Sequence, residues 1–137
     1  MTGGKGCQSM SFSAPDPLEQ DFGVMCEDMS ADQLVSYIIS YQQAFGFRLV
    51  IDGMKERSIF KGLQRTYGRR DAGLIVKWVF YRYKGRYRDE VVTPLSFSKG
   101  RAWFCSKMHL ELQEALAAEK AISTEKVSIG AATLADL

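Results

Sequence analysis

Ala72-Gly-Leu-Ile-Val-Lys-Trp-Val-Phe-Tyr-Arg-Tyr-Lys-Gly85 is the stretch on which the fold turns. Ala72, Ile75, Val76, Val79 and Tyr83 recur at i, i+3, i+4, i+7 and i+11, which predicts a helix closed by Gly85. Its density of β-branched and aromatic residues also suits a strand that turns at Lys84-Gly85 into Arg86 to Thr93. The first reading makes the chain mainly α, a compact four-helix domain with flexible termini. The second makes it a winged-helix-like α+β fold with a hairpin over 74–93.

The neighbouring segments favour helices. Ser30-Ala-Asp-Gln33 fits a capping box, with Met29 and Leu34 at the staple positions. From there Leu34, Val35, Ile38, Ile39, Gln42 and Phe45 repeat at helical spacing up to Gly46. A second helix is predicted from Gly53 to Tyr67, with Asp52 as its N-cap. It would bury Met54, Ile59, Phe60, Leu63 and Tyr67, leave Lys55, Arg57, Lys61 and Arg65 outside, and end at Gly68. After a loop from Arg86 to Pro94, a last helix is read from Leu95 to about Ala121, capped by Ser96 or Ser98, with Phe104, Met108, Leu112 and Leu116 at four-residue steps. Its start is basic and its end acidic, against the helix dipole.

Charge divides the chain more sharply than hydropathy. Residues 54–107 hold fourteen of the eighteen Lys and Arg residues and four acids, a net of +10. The segment before them carries −5 and the segment after them −3, so the overall +2 hides a basic middle. Interleaved with those cations are Trp78, Phe80, Tyr81, Tyr83, Tyr87 and Trp103. Phosphate attraction combined with rings that can stack is the composition of a nucleic-acid surface. The candidate phosphate contacts are Lys61, Arg65, Arg69, Arg70, Lys77, Arg82, Lys84, Arg86, Arg88, Lys99 and Arg101. The candidate stacking rings are Tyr81, Tyr83, Tyr87 and Trp103.

The ends read differently. Residues 1–29, with three glycines among the first six residues, Pro15, Pro17 and the acids Glu19, Asp21, Glu27 and Asp28, are expected to be a flexible acidic arm. Its acids could lie over the basic middle, or Phe12, Leu18 and Phe22 could dock on a partner. Residues 122–137, rich in Ala, Ser and Thr, are expected to be a flexible tail. The ordered domain is then 30–121.

The chemistry of enzymes is thinly represented. One histidine, His109, and three scattered cysteines, Cys7, Cys26 and Cys105, give neither a zinc pattern nor a disulfide framework. Cys105 and His109 could share a helix face. No glycine-rich segment has the length of a phosphate loop. The expectation is a protein that is not an enzyme, needs no cofactor or metal, lacks a membrane span, and works in the cytoplasm, the host's if the chain is viral.

One resemblance can be drawn from these segments. An amphipathic helix, a basic helix ending Leu63-Gln-Arg-Thr-Tyr-Gly68, the apolar-aromatic Leu74-Ile-Val-Lys-Trp-Val-Phe-Tyr-Arg-Tyr83, a variable loop and Phe97-Ser-Lys-Gly-Arg-Ala-Trp-Phe104 together resemble the small helical domain appended to many bacteriophage replication and DNA-processing accessory proteins. The resemblance spans residues 30–118. It implies a compact helical domain that binds DNA, with RNA as a variant, or a protein partner in a replication complex. The rival expectation is an adaptor or virion assembly component whose basic surface meets an acidic protein.

Overall fold

The computed structural model describes residue 12 and residues 14–136, with side chains through 121. Its order is α1 (Pro17–Phe22), a 3₁₀ turn (Cys26–Asp28), α2 (Ala31–Ala44), α3 (Met54–Tyr67), α4 (Arg69–Tyr83), β1 (Arg86–Tyr87), β2 (Glu90–Val91), 3₁₀ turns at Pro94–Phe97 and Lys99–Arg101, and α5 (Ala102–Asp136). The fold is mainly α.

The deciding stretch is a helix, α4, and its position explains its ambiguity. Ala72, Gly73, Leu74, Ile75, Val76 and Lys77 are all buried, as are Val79 and Phe80. A helix covered on several sides is apolar nearly all round and loses the clean stripe of a surface helix. It packs against the Cys26–Asp28 turn, α3 and α5. The hairpin proposed for 74–93 is replaced by a ribbon of two residues per strand, pairing Arg86 with Val91 and Tyr87 with Glu90. Arg88 and Asp89 at its tip have φ of 52° and 67°. Both central residues of this tight turn are left-handed without being glycine, an arrangement that costs roughly 1 kcal/mol or more per residue.

The Ser30 capping box forms as the sequence predicts, with Gln33 N donating to Ser30 Oγ at 3.2 Å and Ser30 N to Gln33 Oε1 at 2.9 Å. Gln42, on the inner face of α2, donates from Nε2 to Gly85 O at 2.7 Å and Val92 O at 2.9 Å. A buried amide so bonded satisfies two loop carbonyls and fixes the ribbon's base against α2. At α3 the N-terminal acceptor is Glu56 rather than Asp52, since its carboxylate takes the amides of Gly53 at 2.7 Å and Asp52 at 3.2 Å. Gly68, at φ 87° and ψ 155°, is the single residue between α3 and α4. Only glycine adopts that conformation cheaply, so one helix ends and the next begins within a residue.

Two boundaries differ from the sequence reading. The sequence predicts a flexible arm through residue 29, yet α1 and the 3₁₀ turn pack against the core. Phe12, Glu19, Cys26 and Met29 are buried, and Leu18 and Phe22 pack against the cluster. The apolar residues offered to a partner are spent on the chain's own core, and the acids conceal that burial in a composition count. The arm's residues 1–11 and 13 lie outside the described residues. At the other end, α5 begins at Ala102, seven residues later than predicted, because Pro94–Phe97 and Lys99–Arg101 fold into 3₁₀ turns behind the extended caps Thr93 and Ser98. Its backbone then continues helically through Asp136.

Candidate nucleic-acid interface

The outer side of α3 and the approach to α5 form the two walls of an open cleft of about 620 Å³. On α3, Lys55, Ser58, Ile59, Gly62, Arg65 and Thr66 recur at helical spacing, with 55, 59, 62 and 66 three or four residues apart, so helical geometry aligns them along one side. Opposite them lie Phe97, Ser98, Lys99, Gly100, Ala102 and Cys105. Phe97 pins this wall, with its ring centroid 5.5 Å from that of Phe60 and 5.8 Å from that of Phe104. Ile59, Leu63 and Phe97 make the floor apolar, while Lys55, Arg65 and Lys99 supply three cations. Among the described residues no Asp or Glu lines the cleft. A second recess of about 450 Å³ shares Lys55, Ser98 and Gly100 with it and reaches Arg101, Glu90 and Leu95.

Among the described residues, Lys55, Lys61, Arg65 and Lys99 form no ion pair within 4 Å. Like charges along one helix repel by a few tenths of a kcal/mol per pair, and a bound anion removes that penalty. Lys61 is exposed four residues before Arg65 on α3.

The remaining sequence candidates divide by their commitments. Arg101 lines the second recess, binds Glu90 through Nη2 at 3.1 Å, and lies 5.5 Å from the ring of Trp103. Arg88 lies 5.3 Å from the Tyr87 ring and 6.0 Å from that of Trp103. Arg82, Lys84 and Arg86 are exposed over the rings of Tyr83, Tyr81 and Phe47 and do not line the cleft. Arg70 pairs with Asp71 at 3.2 Å. Arg69 donates from Nε to Asp28 O at 3.2 Å, and from Nη2 to the same oxygen. Its role here is to hold the N-terminal turn to α4.

Lys77 has to be withdrawn from the candidate contacts. It is 2% exposed, with Nζ 2.8 Å from Glu19 Oε1 and 2.9 Å from Ala14 O. Burial would push the Glu19 carboxyl up, but the Cys26 amide, Lys77 and the Asp16 amide outweigh it and hold the group below its usual 4.5.

Two of the four candidate stacking rings belong to the core. Tyr87 is buried against Tyr83 and Phe104. Tyr83 donates its hydroxyl to Glu111 at 2.8 Å, and Trp78 Nε1 donates to the same carboxylate at 3.0 Å, which ties α4 to α5. Tyr81 and Trp103 remain exposed, Trp103 by 50%.

Cys105 and His109 are not partnered with each other. The thiol donates to Phe97 O at 3.6 Å, and burial pushes it up to about 11. His109 Nε2 lies 3.1 Å from Asp71 Oδ2, with its ring 4.6 Å from that of Tyr67. Among the described residues no group of three or more His, Cys, Asp and Glu could hold a metal ion, and no helix is long and apolar enough to cross a membrane.

Lys55 is the cleft cation that the candidate contacts omit. Its spacing to Ile59, Gly62 and Thr66 was the available signal, but the pairing of that side with Phe97 to Ala102 is long-range and leaves no local trace. No family model matches this chain, and neither the curated proteins nor the solved structures contain a match to it.

Proposed function

We propose that this chain is a non-enzymatic nucleic-acid-binding accessory protein, of the kind used in phage-type DNA replication or processing. The observation that carries the reading is a cleft with Lys55, Arg65 and Lys99 on its walls and, among the described residues, no carboxylate in its lining. Phosphates supply the charge such a cleft lacks, and binding through them is driven by released counterions. Contacts of this type position a nucleic acid without reading its sequence, so weak sequence preference is expected.

Fluorescence anisotropy with labelled DNA across a salt series tests it. Log affinity should fall linearly with log salt. Lys55→Ala/Arg65→Ala/Lys99→Ala should weaken binding of every sequence alike and flatten the slope by about two to three phosphate contacts. Arg82→Ala/Lys84→Ala, outside the cleft, should change it less. Arg69 makes a poor probe because its removal disturbs the Asp28 contact.

The apolar floor of Ile59, Leu63 and Phe97 favours a second reading, a protein adaptor that receives an acidic amphipathic segment. Loss of an acidic protein partner in the triple variant, with DNA affinity unchanged from wild type, would establish that reading in place of the first.

A further inference from the structure

Resting on that reading, we infer that the ligand is a single strand, DNA or RNA, whose backbone follows the two joined recesses and which stacks a base on Trp103. The cleft is concave, and its volume lies in the range of sites that enclose small organic molecules. That suits a few nucleotides of one strand. Reading a duplex would require a helix or ribbon that projects into a groove about 12 Å wide. Here α3 is a wall, and the ribbon is two residues per strand with Asp89 and Glu90 beside Arg88.

Trp103 supplies the second half of the argument. It lies in the first turn of α5, next to Ala102 of the cleft lining and two residues from Arg101 of the second recess. Its indole is half exposed, backed by Phe104 at 5.9 Å and Tyr87 at 6.4 Å. An indole half exposed and braced by other rings is a stacking surface that tolerates any base. The Arg101 and Arg88 guanidinium groups lie 5.5 and 6.0 Å from it. Arg88 keeps that place from a left-handed backbone. Among the described residues Arg101 makes one side-chain hydrogen bond, to the exposed Glu90, while its Nε is buried without a partner. The strand leaving the recess past Arg101 therefore meets cations and a half-exposed ring together.

Intrinsic fluorescence of the full chain separates this inference from the reading beneath it. The chain has two tryptophans, and Trp78 is held by Glu111. Oligo-dT or oligo-rU of about 15 nucleotides, within the span such sites cover, should quench the emission. Either should bind at least about tenfold more tightly than a duplex of equal length at the same salt. Trp103→Phe should abolish the quenching and keep most of the affinity, whereas Trp103→Ala should lose about tenfold. Both variants should keep the wild-type urea midpoint. Salt-dependent binding of duplex as tight as single strand, without quenching, overturns the inference and leaves the reading standing. Absence of binding by every nucleic acid at low salt, with capture of an acidic amphipathic peptide, overturns both.

Discussion

Lys77 and Lys99 belong to the same basic middle of the chain, and they are held in opposite ways. Around Lys77, charge is buried and neutralised: Glu19 takes the ammonium, and the amides of Asp16 and Cys26 donate to the same carboxylate at 2.9 and 2.6 Å. Tyr37 closes the group with a hydroxyl on Asp16 at 2.6 Å. Around Lys99, cations stand beside an apolar floor in a cleft lined by none of the described acids. The difference teaches that a run of basic residues is not one surface. Where the chain folds back on itself the charge is part of the structure, and where it does not the charge is available to a partner.

Breaking the buried half should have the largest effect. Lys77→Met leaves the Glu19 carboxylate in the core without its cation, which should cost about 3–5 kcal/mol of unfolding free energy measured in urea. That is a large share of the 5–15 kcal/mol typical of a domain. The pH dependence gives the sign. In the wild type Glu19 titrates below 4.5, so its contribution is present above that pH and is lost as pH falls through the folded value. Without Lys77 one of the groups that hold the carboxyl down is gone, so Glu19 titrates higher than in the wild type and the gap between variant and wild type should narrow as pH is lowered from 7 to about 4. A gap that stays constant would mean that the ion pair is not what the lysine supplies.

Gly73→Ala attacks the same region through shape. A Cβ at this position would sit 1.9 Å from the carbonyl oxygen of Cys26 and 2.9 Å from Glu27 Cα, both backbone atoms that cannot swing away. In an open helix the change would add about 0.5–1 kcal/mol of stability. Here it should remove about 2 kcal/mol by forcing the turn off α4. Thermal unfolding decides it, and a raised Tm would show that the turn does not approach α4 this closely.

These two sites mark where the sequence could be read and where it could not. The capping box at Ser30, the stripe of α2, the glycine at 68 and the helix over 72–83 are local patterns, and each reappears in the structure. Glu19 with Lys77 is a contact across 58 positions, and Gly73 against Cys26 one across 47. Nothing in the neighbourhood of either residue announces its partner. The acids of residues 16–28 therefore read as an arm, when two of them were the complement of a buried cluster and the surrounding Phe12, Cys26 and Met29 were core. In the cleft the charges were legible as charges. Their selection was not, because burial removed Lys77, the Asp28 carbonyl claimed Arg69, and only the packing of Phe97 on Phe60 brought Lys99 across from Lys55.

Tyr83 lies between the two regimes. Its hydroxyl donates to both oxygens of Glu111 at 2.8 and 2.9 Å. Burial, followed by these bonds, pushes it up to about 12 from 10.0. A raised folded value means that its contribution is complete below pH 10 and is lost as pH rises through about 12. Tyr83→Phe should cost about 1 kcal/mol at neutral pH, the worth of an ordinary hydrogen bond. It should also remove a late-titrating component from the tyrosinate absorbance. If the alkaline titration is unchanged, the link from α4 to α5 through Glu111 is weaker than the geometry implies.

The smallest expected change in stability is at the cleft itself, and it is the sharpest contrast with Lys77. Replacing Lys55, Arg65 and Lys99 together by alanine removes three charges that no described acid pairs with. Surface substitutions of this kind move stability by no more than about 0.5 kcal/mol each. Relief of like-charge repulsion and alanine's better helix propensity at positions 55 and 65 act in the stabilising direction. The urea midpoint should therefore hold or rise while affinity for nucleic acid falls. One lysine in the core would then cost the fold more than three cations in the cleft, with the order reversed for binding. If the triple variant instead unfolds early, those side chains serve the fold, and the division between a structural and an available half of the basic segment fails at its second term.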